Sequence, residues 1–397
     1  MALLIVIPLY ILLNAYVLWR CMAWLRSMTR DFSTRVFPAI FITVYVILAG
    51  SMLIAFFLPS GTPLKRFTKL LSNYWLGCQM YMLMAIFIAD VLRLALKRTR
   101  VLKEEFFSSR KTLNITGTVL MAALIIVTVL GTQHVKNIKE TTYEVSIDKT
   151  CDLGKNLKIA LVADWHLGYN IGEGQMRRMV EKINAADVDL VCVAGDMFDN
   201  EYEAVPDPER IIQVLKSIRS TYGVYACWGN HDVAESILGG FTVSKKERKM
   251  SDPRMEEFLE KAGIHLLQDE VVCVNNSLYL AGRLDYAKPG RKAEVRKTPQ
   301  ELTEGLDLSK PVIVIDHEPR ELQELADAGV DMDLSGHTHD GQMFPGNLTI
   351  DLFWENACGY LKKDNMHSVV TSGIGLWGPN MRIGTDSEVV FINVSFR

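Results

Sequence analysis

The sequence predicts an N-terminal region of four transmembrane helices followed by an α/β domain. Two observations lead to this prediction. The 397-residue chain is 49% hydrophobic, which is too apolar for a wholly soluble protein, and the apolar excess lies in its first third. Behind it, short apolar runs alternate with stretches of helical periodicity, a pattern typical of sheets flanked by helices.

The N-terminal region, residues 1–133, contains four apolar stretches close to the roughly 20 residues that a helix needs to cross a bilayer. They are residues 2–19, 36–58, 75–96 and 113–132. The first stretch lacks a basic start and a clear small-residue cleavage site. We therefore expect a retained helix, in a multi-pass protein of the cell membrane, rather than a signal peptide.

Basic residues in the loops predict the orientation of these helices. The first and third loops carry four and six Lys and Arg residues, against three in the second loop and two after the fourth stretch. Loops rich in Lys and Arg tend to stay in the cytoplasm. Both termini, and the catalytic domain with them, are therefore expected on the extracytoplasmic side.

Residues 134–155 are expected to be a linker, and residues 156–397 to form the α/β domain, with a β-sandwich core flanked by helices. Helical periodicity predicts helices over residues 175–185 and 208–218, with Asp207 as the N-cap of the second. Runs of β-forming residues bounded by turn signals predict strands in the second half. They cover residues 264–267, 271–274, 278–281, 348–352, 368–371 and 389–394.

Seven residues of types that bind metals are distributed through this domain, most of them directly after short apolar runs. They are Asp164, His166, Asp196, Asn230, His317, His337 and His339. Loops at strand ends are where rigid sheets usually carry their sites. With one carboxylate shared, the seven make two four-ligand sites, so we predict two divalent ions side by side. Mixed imidazole, carboxylate and amide ligands favour Mn, Fe or Zn, and paired ions suit the cleavage of phosphate esters.

Five short blocks resemble, in order, the calcineurin-like metallophosphoesterase superfamily. They are Asp164-Trp165-His166, Gly195-Asp196-Met197-Phe198-Asp199, Gly229-Asn230-His231-Asp232, the lone His317 and Gly336-His337-Thr338-His339. Residues 334–345 and 372–384 are similar to the membrane-associated branch of that superfamily, and the four-span front to its transmembrane type. One ion would then take Asp164, His166 and His339, the other Asn230, His317 and His337, and Asp196 would bridge the two.

The resemblance also implies two catalytic residues. His231 would stabilise the transition state and protonate the leaving alkoxide, and Asp199 would orient His231 by a hydrogen bond. Protein phosphatases of the superfamily continue the second block with Arg-Gly, whereas this chain continues with Asn200 and Glu201. Protein phosphatase activity is therefore disfavoured.

These features together predict a membrane-anchored phosphohydrolase with a binuclear metal centre. It would cleave a phosphate ester or pyrophosphate, such as a phospholipid headgroup or a lipid-linked carrier, at the extracytoplasmic face. Membrane lipids are the expected partners, and the net charge of −3 indicates no nucleic acid. Two alternatives remain: a transporter or sensor regulated by the domain, and a metal-holding scaffold without turnover. The sequence leaves open the type of ester, the native metals and the oligomeric state.

Some smaller features carry expectations of their own. Residues 238–250, with four basic side chains, are a hypothetical contact with lipid headgroups, and residues 288–297 are expected to be a solvated loop. Asp90 and Arg93 are expected to form an interfacial ion pair on one helix. The glycines before the ligands, Gly195, Gly229 and Gly336, are expected to permit sharp turns. The seven cysteines have no paired spacing and are expected to be free thiols.

Overall fold

A computed structural model describes residues 2–99, 103–154, 156–238, 241–243, 250–290 and 295–397. The chain divides into two compact units. The first comprises Met1–Thr132, Ile237–Phe241 and Gly378–Asn380. The second comprises Gln133–Ser236, Thr242–Trp377 and Met381–Arg397. The basic side chains at positions 245, 246, 248 and 249, on which the headgroup hypothesis depends, lie outside the described residues.

The first unit is helical. Its helices are α1 (Ala2–Met28), α2 (Val36–Phe57), α3 (Pro63–Thr99), the short α4 (Glu104–Ser108) and α5 (Arg110–His134). All but α4 are long and apolar enough to cross a membrane, which confirms the four predicted spans. The helices α1, α3 and α5 run past the apolar stretches because polar residues extend them at one or both ends.

A polar pair inside the first unit differs from the expected one. Asp90 of α3 forms its ion pair with Arg20 of α1, and the Tyr16 hydroxyl donates to the same carboxylate oxygen at 2.5 Å. Arg93 instead donates to the Phe107 carbonyl at 3.0 Å. The expectation of an Asp90 pair with Arg93 is therefore wrong, because a neighbouring helix supplies a closer cation than the same helix does.

The second unit is built on two six-stranded sheets. In spatial order, the first contains β1 (Ile138–Ile147), β14 (Ser387–Phe396), β2 (Asn156–Val162), β3 (Leu190–Ala194), β4 (Val224–Cys227) and β7 (Ile264–Leu266). The second contains β12 (Gly359–Lys363), β13 (Met366–Val370), β11 (Met332–Ser335), β10 (Val312–Ile315), β9 (Leu278–Gly282) and β8 (Glu270–Val274). The short strands β5 (Ile237–Leu238) and β6 (Phe241–Thr242) pair separately.

The described residues of this unit also form five α-helices: α6 (Glu173–Ala185), α7 (Pro208–Lys216), α8 (Pro253–Ala262), α9 (Pro299–Thr303) and α10 (Leu322–Asp327). Alternation along β2 shows how the layers pack. Leu157, Ile159 and Leu161 enter the core between the sheets, whereas Ala160 and Val162 pack on the side that carries α6, α7 and α8. Both faces of the strand are therefore buried, as in parallel sheets with covered faces. The predicted sandwich flanked by helices is confirmed.

Two segments differ from the sequence prediction. Residues 138–147, inside the expected linker, form β1, which pairs in parallel with β14 along ten residues; this pairing satisfies backbone groups that would otherwise make β14 an open edge. Residues 348–352 are not a strand, because they lie in the 3₁₀ turns Gly346–Leu348 and Ile350–Leu352. All seven cysteines are free thiols, of which Cys192 and Cys227 are buried as expected and Cys273 is exposed.

Candidate metal centre

The seven candidate ligands follow the carboxyl ends of parallel strands from both sheets. The strands β2, β3 and β4 run parallel to one another in the first sheet, and β10 and β11 do so in the second. Asp164 and His166 follow β2, Asp196 follows β3, Asn230 follows β4, His317 follows β10, and His337 and His339 follow β11. Carboxyl ends of parallel strands lie at one edge of a sheet, so this topology gathers residues that are up to 175 positions apart.

Three of these residues form a first group whose ligand atoms lie close enough to hold one ion: Asp164, His166 and His339. The Nε2 atoms of His166 and His339 are 3.0 Å apart, and Asp164 Oδ1 is 3.6 Å from His339 Nε2. All three side chains are buried. This is the group that the resemblance assigns to one metal ion.

A second group lies around His317. Its Nε2 is 3.0 Å from Asn230 Oδ1 and 3.0 Å from His337 Nδ1. Asp196 Oδ2 lies 3.2 Å from this Nε2 and 3.7 Å from His166 Nε2 of the first group. One carboxylate oxygen therefore stands between the two groups, where a bridging ligand would have to be.

The chemistry of these side chains fits metal ions. His317 Nδ1 donates to the Ala194 carbonyl at 2.9 Å, which leaves the lone pair on Nε2 facing the other ligand atoms, an arrangement found in most metal-binding histidines. In the described part of the chain, His166 Nδ1 is buried without a hydrogen-bond partner. A cation would satisfy the lone pairs on the nitrogens and oxygens that face one another, such as Nε2 of His166 and Nε2 of His339, and the mixed donor set suits Mn, Fe or Zn.

Burial and charge set the protonation of the site. Burial lowers the pKa of His166 to about 4 and that of His337 to about 3, so both imidazoles are neutral at pH 7 and can bind a metal. Burial also lowers the pKa of His317, but the nearby Asp196 and Asp164 carboxylates outweigh it and raise that pKa well above its ordinary value. A bound divalent cation would replace the extra proton on His317, because the same two carboxylates would attract the cation instead.

Most of the candidate ligands have left-handed backbone. Asp164, His166, Asp196, His337 and His339 have φ between 47° and 72°. Side-chain-bearing residues in this region are uncommon and cost on the order of 1 kcal/mol each. Such strain persists where surrounding structure imposes it, typically at functional sites.

The glycines in the motifs act in two ways. Gly195 has φ of 74° and makes the sharp turn expected of it. Gly229 and Gly336 are not left-handed; they provide space, because an added Cβ would lie 2.3 Å from Asp196 Oδ1 and 2.5 Å from Ala163 Cβ, respectively. The chain turns sharply after Gly229 and Gly336 as well, since their carbonyls accept the N–H groups of Asp232 at 3.2 Å and Thr338 at 2.9 Å, respectively, but left-handed backbone is needed only at Gly195.

His231 lies at the edge of both groups and has a different hydrogen-bond partner from the one expected. Its backbone N–H donates to Asp196 Oδ1 at 2.7 Å, and its Nδ1 donates to Asn200 Oδ1 at 2.7 Å. The Asn200 amide is oriented by donating its Nδ2 hydrogen to the Val233 carbonyl at 3.0 Å. Asp199 Oδ1 is 3.6 Å from the same Nδ1, which is too long for a hydrogen bond.

Two buried residues that the sequence did not single out hold the ligand loops. Asp232 accepts the N–H groups of Phe198 and Gly229 at 2.8 Å each, so one carboxylate joins the loops after β3 and β4. Arg382 is fully buried and donates to the carbonyls of His339 at 3.2 Å and Ser372 at 2.6 Å. Both occur in the motifs quoted above, but only the fold shows what they contact.

The basic segment after β9 is not the solvated loop that was expected. Arg283 is fully buried and donates to Asp316 at 3.0 Å and to Glu321 at 2.8 Å. Arg296, also buried, donates to both Asp316 oxygens at 3.0 Å. Asp316 in turn accepts the His317 N–H at 2.8 Å. The solvated-loop expectation for residues 288–297 is wrong for Arg296, because the buried Asp316 and the half-buried Glu321 pair with it; residues 291–294 lie outside the described part.

A sandwich of two sheets whose strand ends join two groups of metal-binding side chains through one carboxylate defines a metal-dependent phosphoesterase. The family profile of calcineurin-like phosphoesterases matches residues 157–341. Over 366 residues the chain is 30% identical to a transmembrane protein with metallophosphoesterase domain from Danio rerio, covering 86% of this chain and 77% of that protein. This chain belongs to the calcineurin-like metallophosphoesterase family.

Other relatives share the catalytic domain. An uncharacterized metallophosphoesterase of Helicobacter pylori is 30% identical over 259 residues, which cover 65% of this chain and 63% of that protein. The bovine transmembrane protein with metallophosphoesterase domain is 27% identical over 276 residues, which cover 67% of this chain and 60% of that protein. The chain thus spans less than two thirds of the length of both relatives.

Proposed function

We propose that this chain is a membrane-anchored phosphohydrolase with two metal ions, which cleaves a phosphate ester or pyrophosphate of a lipid or lipid-linked substrate at the extracytoplasmic face. The two-metal part depends on one observation: Asp196 Oδ2 lies 3.2 Å from His317 Nε2 in one group and 3.7 Å from His166 Nε2 in the other. A carboxylate in that position suits a ligand that is shared by two ions, one in each group.

The two groups support the following ligand assignment. Asp164, His166 and His339 would hold one ion, Asn230, His317 and His337 the other, and Asp196 both. When bound, such ions neutralise charge on phosphoryl oxygens and activate water as a nucleophile. The protein holds the seven side chains in place through the strand ends, Asp232 and Arg382.

His231 is the proposed general acid. With the Nδ1 hydrogen directed at Asn200, the ring presents Nε2 to a substrate and can give a proton to the leaving oxygen. Two tryptophans stand beside the site: the Trp377 ring is 6.2 Å from that of His231, and the Trp354 ring is 5.1 Å from that of His337. Their rings limit the approach of water and offer apolar contact to the part of the substrate beyond the phosphate.

The short connection between α5 and β1 supports a substrate in the membrane. Only residues 135–137 separate α5 from β1, and four peptide units reach about 14 Å at most. The catalytic domain is thereby confined near the bilayer, where the effective concentration of lipid phosphate is high. The basic loops between the helices favour the extracytoplasmic side.

Turnover of the full-length protein in detergent tests the enzymatic part. Chromogenic phosphodiester and phosphomonoester substrates and pyrophosphate would be assayed with Mn²⁺, alongside metal analysis of each variant. We expect Asp196→Asn to lose metal and turnover, and His231→Ala to keep its metal while its rate falls by about 10²- to 10⁴-fold. His265→Ala, on an exposed histidine of β7, is the matched control.

The outcomes separate the candidate functions. A wild type that binds metal but hydrolyses none of the three substrates would favour the regulatory sensor or transporter. Asp196→Asn with unchanged metal content would contradict the shared carboxylate. The orientation is tested separately by labelling intact cells with a membrane-impermeant maleimide: Cys273 is exposed, so the wild type should label more strongly than Cys273→Ser if the domain is extracytoplasmic.

A further inference from the structure

An exposed apolar loop lies between β11 and β12 in the second unit. We define the apolar loop as residues 342–354. Among the described large hydrophobic residues of this unit, four are more than 60% exposed, and three of them belong to this loop: Leu348 at 66%, Leu352 at 80% and Phe353 at 76%. Concentration of such side chains in one short segment marks an interaction surface rather than ordinary scatter.

The apolar loop is held in shape by contacts with backbone groups on either side of it in the fold. The Phe344 N–H donates to the Ile383 carbonyl at 2.7 Å, and the Asn347 amide donates to the Gly384 carbonyl at 3.3 Å. Gly341 packs directly on Gly346, so closely that an added Cβ would lie 2.4 Å from the Gly346 carbonyl carbon. These contacts fix a bend whose two 3₁₀ turns carry Leu348 and Leu352 outward, so the exposure is built into the fold.

The same loop borders the candidate metal centre. It begins three positions after His339 and ends at Trp354, whose ring contacts that of His337 at 5.1 Å. The Arg320 guanidinium lies over the Trp354 ring, 4.6 Å from its centroid. A surface bound by the apolar loop is therefore next to the metal ligands.

The composition of the apolar loop indicates the chemistry of the partner that it binds. Asp351 is the single charged residue of residues 342–354, so the apolar loop suits hydrocarbon rather than phosphate or nucleic acid. The hydrocarbon of a lipid bilayer is such a partner. The four span-length helices place the chain in a bilayer, and three residues join α5 to β1. A membrane surface is thus available within the reach of the tether.

We propose that the apolar loop inserts into the outer layer of the bilayer that anchors the chain and so brings the metal centre to lipid phosphates, an inference that rests on the proposed function for its purpose. Insertion through Leu348, Leu352 and Phe353 depends on apolar burial and not on charge. It therefore differs from the headgroup contact expected of residues 238–250, because it persists at high salt and on uncharged lipid.

Photo-crosslinking tests the insertion without reference to activity. The full-length chain would carry p-benzoylphenylalanine in place of Leu352, in nanodiscs of phosphatidylcholine, with lipid adducts detected by mass spectrometry. The matched control carries it in place of Leu308, an exposed residue before the amino end of β10 and thus at the opposite end of that strand from His317. We expect lipid adducts at position 352 and background at position 308, at low and high salt. Background at position 352, or equal yields at both positions, would overturn the proposal.

A paired substitution tests the consequence. The double variant Leu352→Glu with Phe353→Glu should hydrolyse a lipid phosphodiester in nanodiscs about tenfold more slowly or worse, since burial of two large side chains is lost. Its rate on a water-soluble phosphodiester should equal that of the wild type, which also establishes that the variant is folded. Equal rates of variant and wild type on lipid would contradict insertion. A wild type inactive on both substrates would refute the proposed function. The crosslinking result would still decide whether the apolar loop inserts into the bilayer.

Discussion

The hydrogen bond that orients His231 gives the sharpest prediction, because the sequence and the structure favour different partners. The motif resemblance implies Asp199, whereas the structure places the Asn200 oxygen at 2.7 Å from Nδ1 and the Asp199 oxygen at 3.6 Å. A hydrogen bond to a ring that must be charged in order to give up its proton contributes about 1.5–3 kcal/mol. At 1.4 kcal/mol per factor of ten, Asn200→Ala should lower kcat by about 10- to 150-fold.

The assay is steady-state hydrolysis of a soluble phosphodiester by the full-length protein with Mn²⁺, with metal content measured for each variant. Metal content and KM should change little for Asn200→Ala, since Asn200 contacts His231 and not the candidate ligands. Asn200→Asp retains the acceptor oxygen and should recover most of the rate. Asp199→Asn should lose less than about tenfold, because the Asp199 Oδ1 lies 3.6 Å from His231 Nδ1, which is longer than a hydrogen bond. A larger loss for Asp199→Asn than for Asn200→Ala would refute the reasoning and restore the role implied by the motif.

Three further predictions concern the support of the site. Gly336→Ala forces a Cβ to within 2.5 Å of Ala163 Cβ and should weaken metal affinity by about tenfold or more in a metal titration. Gly174→Ala is the control: its Cβ meets nothing nearer than 3.7 Å, so the metal affinity should not change. Arg283→Met leaves the buried Asp316 short of one partner and should cost about 3–5 kcal/mol, seen as a melting temperature lower by about 10 °C; an unchanged melting temperature would contradict it. Burial and the Asp316 charge raise the pKa of Asp333 to about 7, so the wild type loses stability as the pH rises from about 4 through 7. Asp333→Asn should therefore melt higher than the wild type at pH 8, by a margin that shrinks or reverses at pH 4.

Local patterns were sufficient for much of the fold. The strand ends before Asp164, Asp196 and His317 were predicted from continuous apolar runs, because strands covered on both faces need apolar residues at every position. The four spans were predicted from length and hydropathy alone, since a helix must match the thickness of the bilayer. Both signals lie within one element, and therefore they can be read without knowing its neighbours.

Segments whose structure depends on a distant partner were predicted poorly. Residues 138–147 resembled a linker because β14, which pairs with them, lies about 250 positions later. Residues 348–352 alternate like a strand but pair with no strand among the described residues, and they bend into turns instead. Arg296 resembled part of a solvated basic run because the carboxylates that pair with it follow only at 316 and 321.

The sequence by itself determined the family, the four spans and the identity of the candidate ligands, because each depends on residue types in short, ordered blocks. Tertiary structure decided how those residues meet: that one oxygen of Asp196 lies between two groups, that Asn200 rather than Asp199 bonds His231, and that the apolar loop is exposed beside the site. These are facts about distances between atoms far apart in the chain. Sheet pairing and the close packing of glycines set such distances, and the order of residues along the chain does not encode them locally.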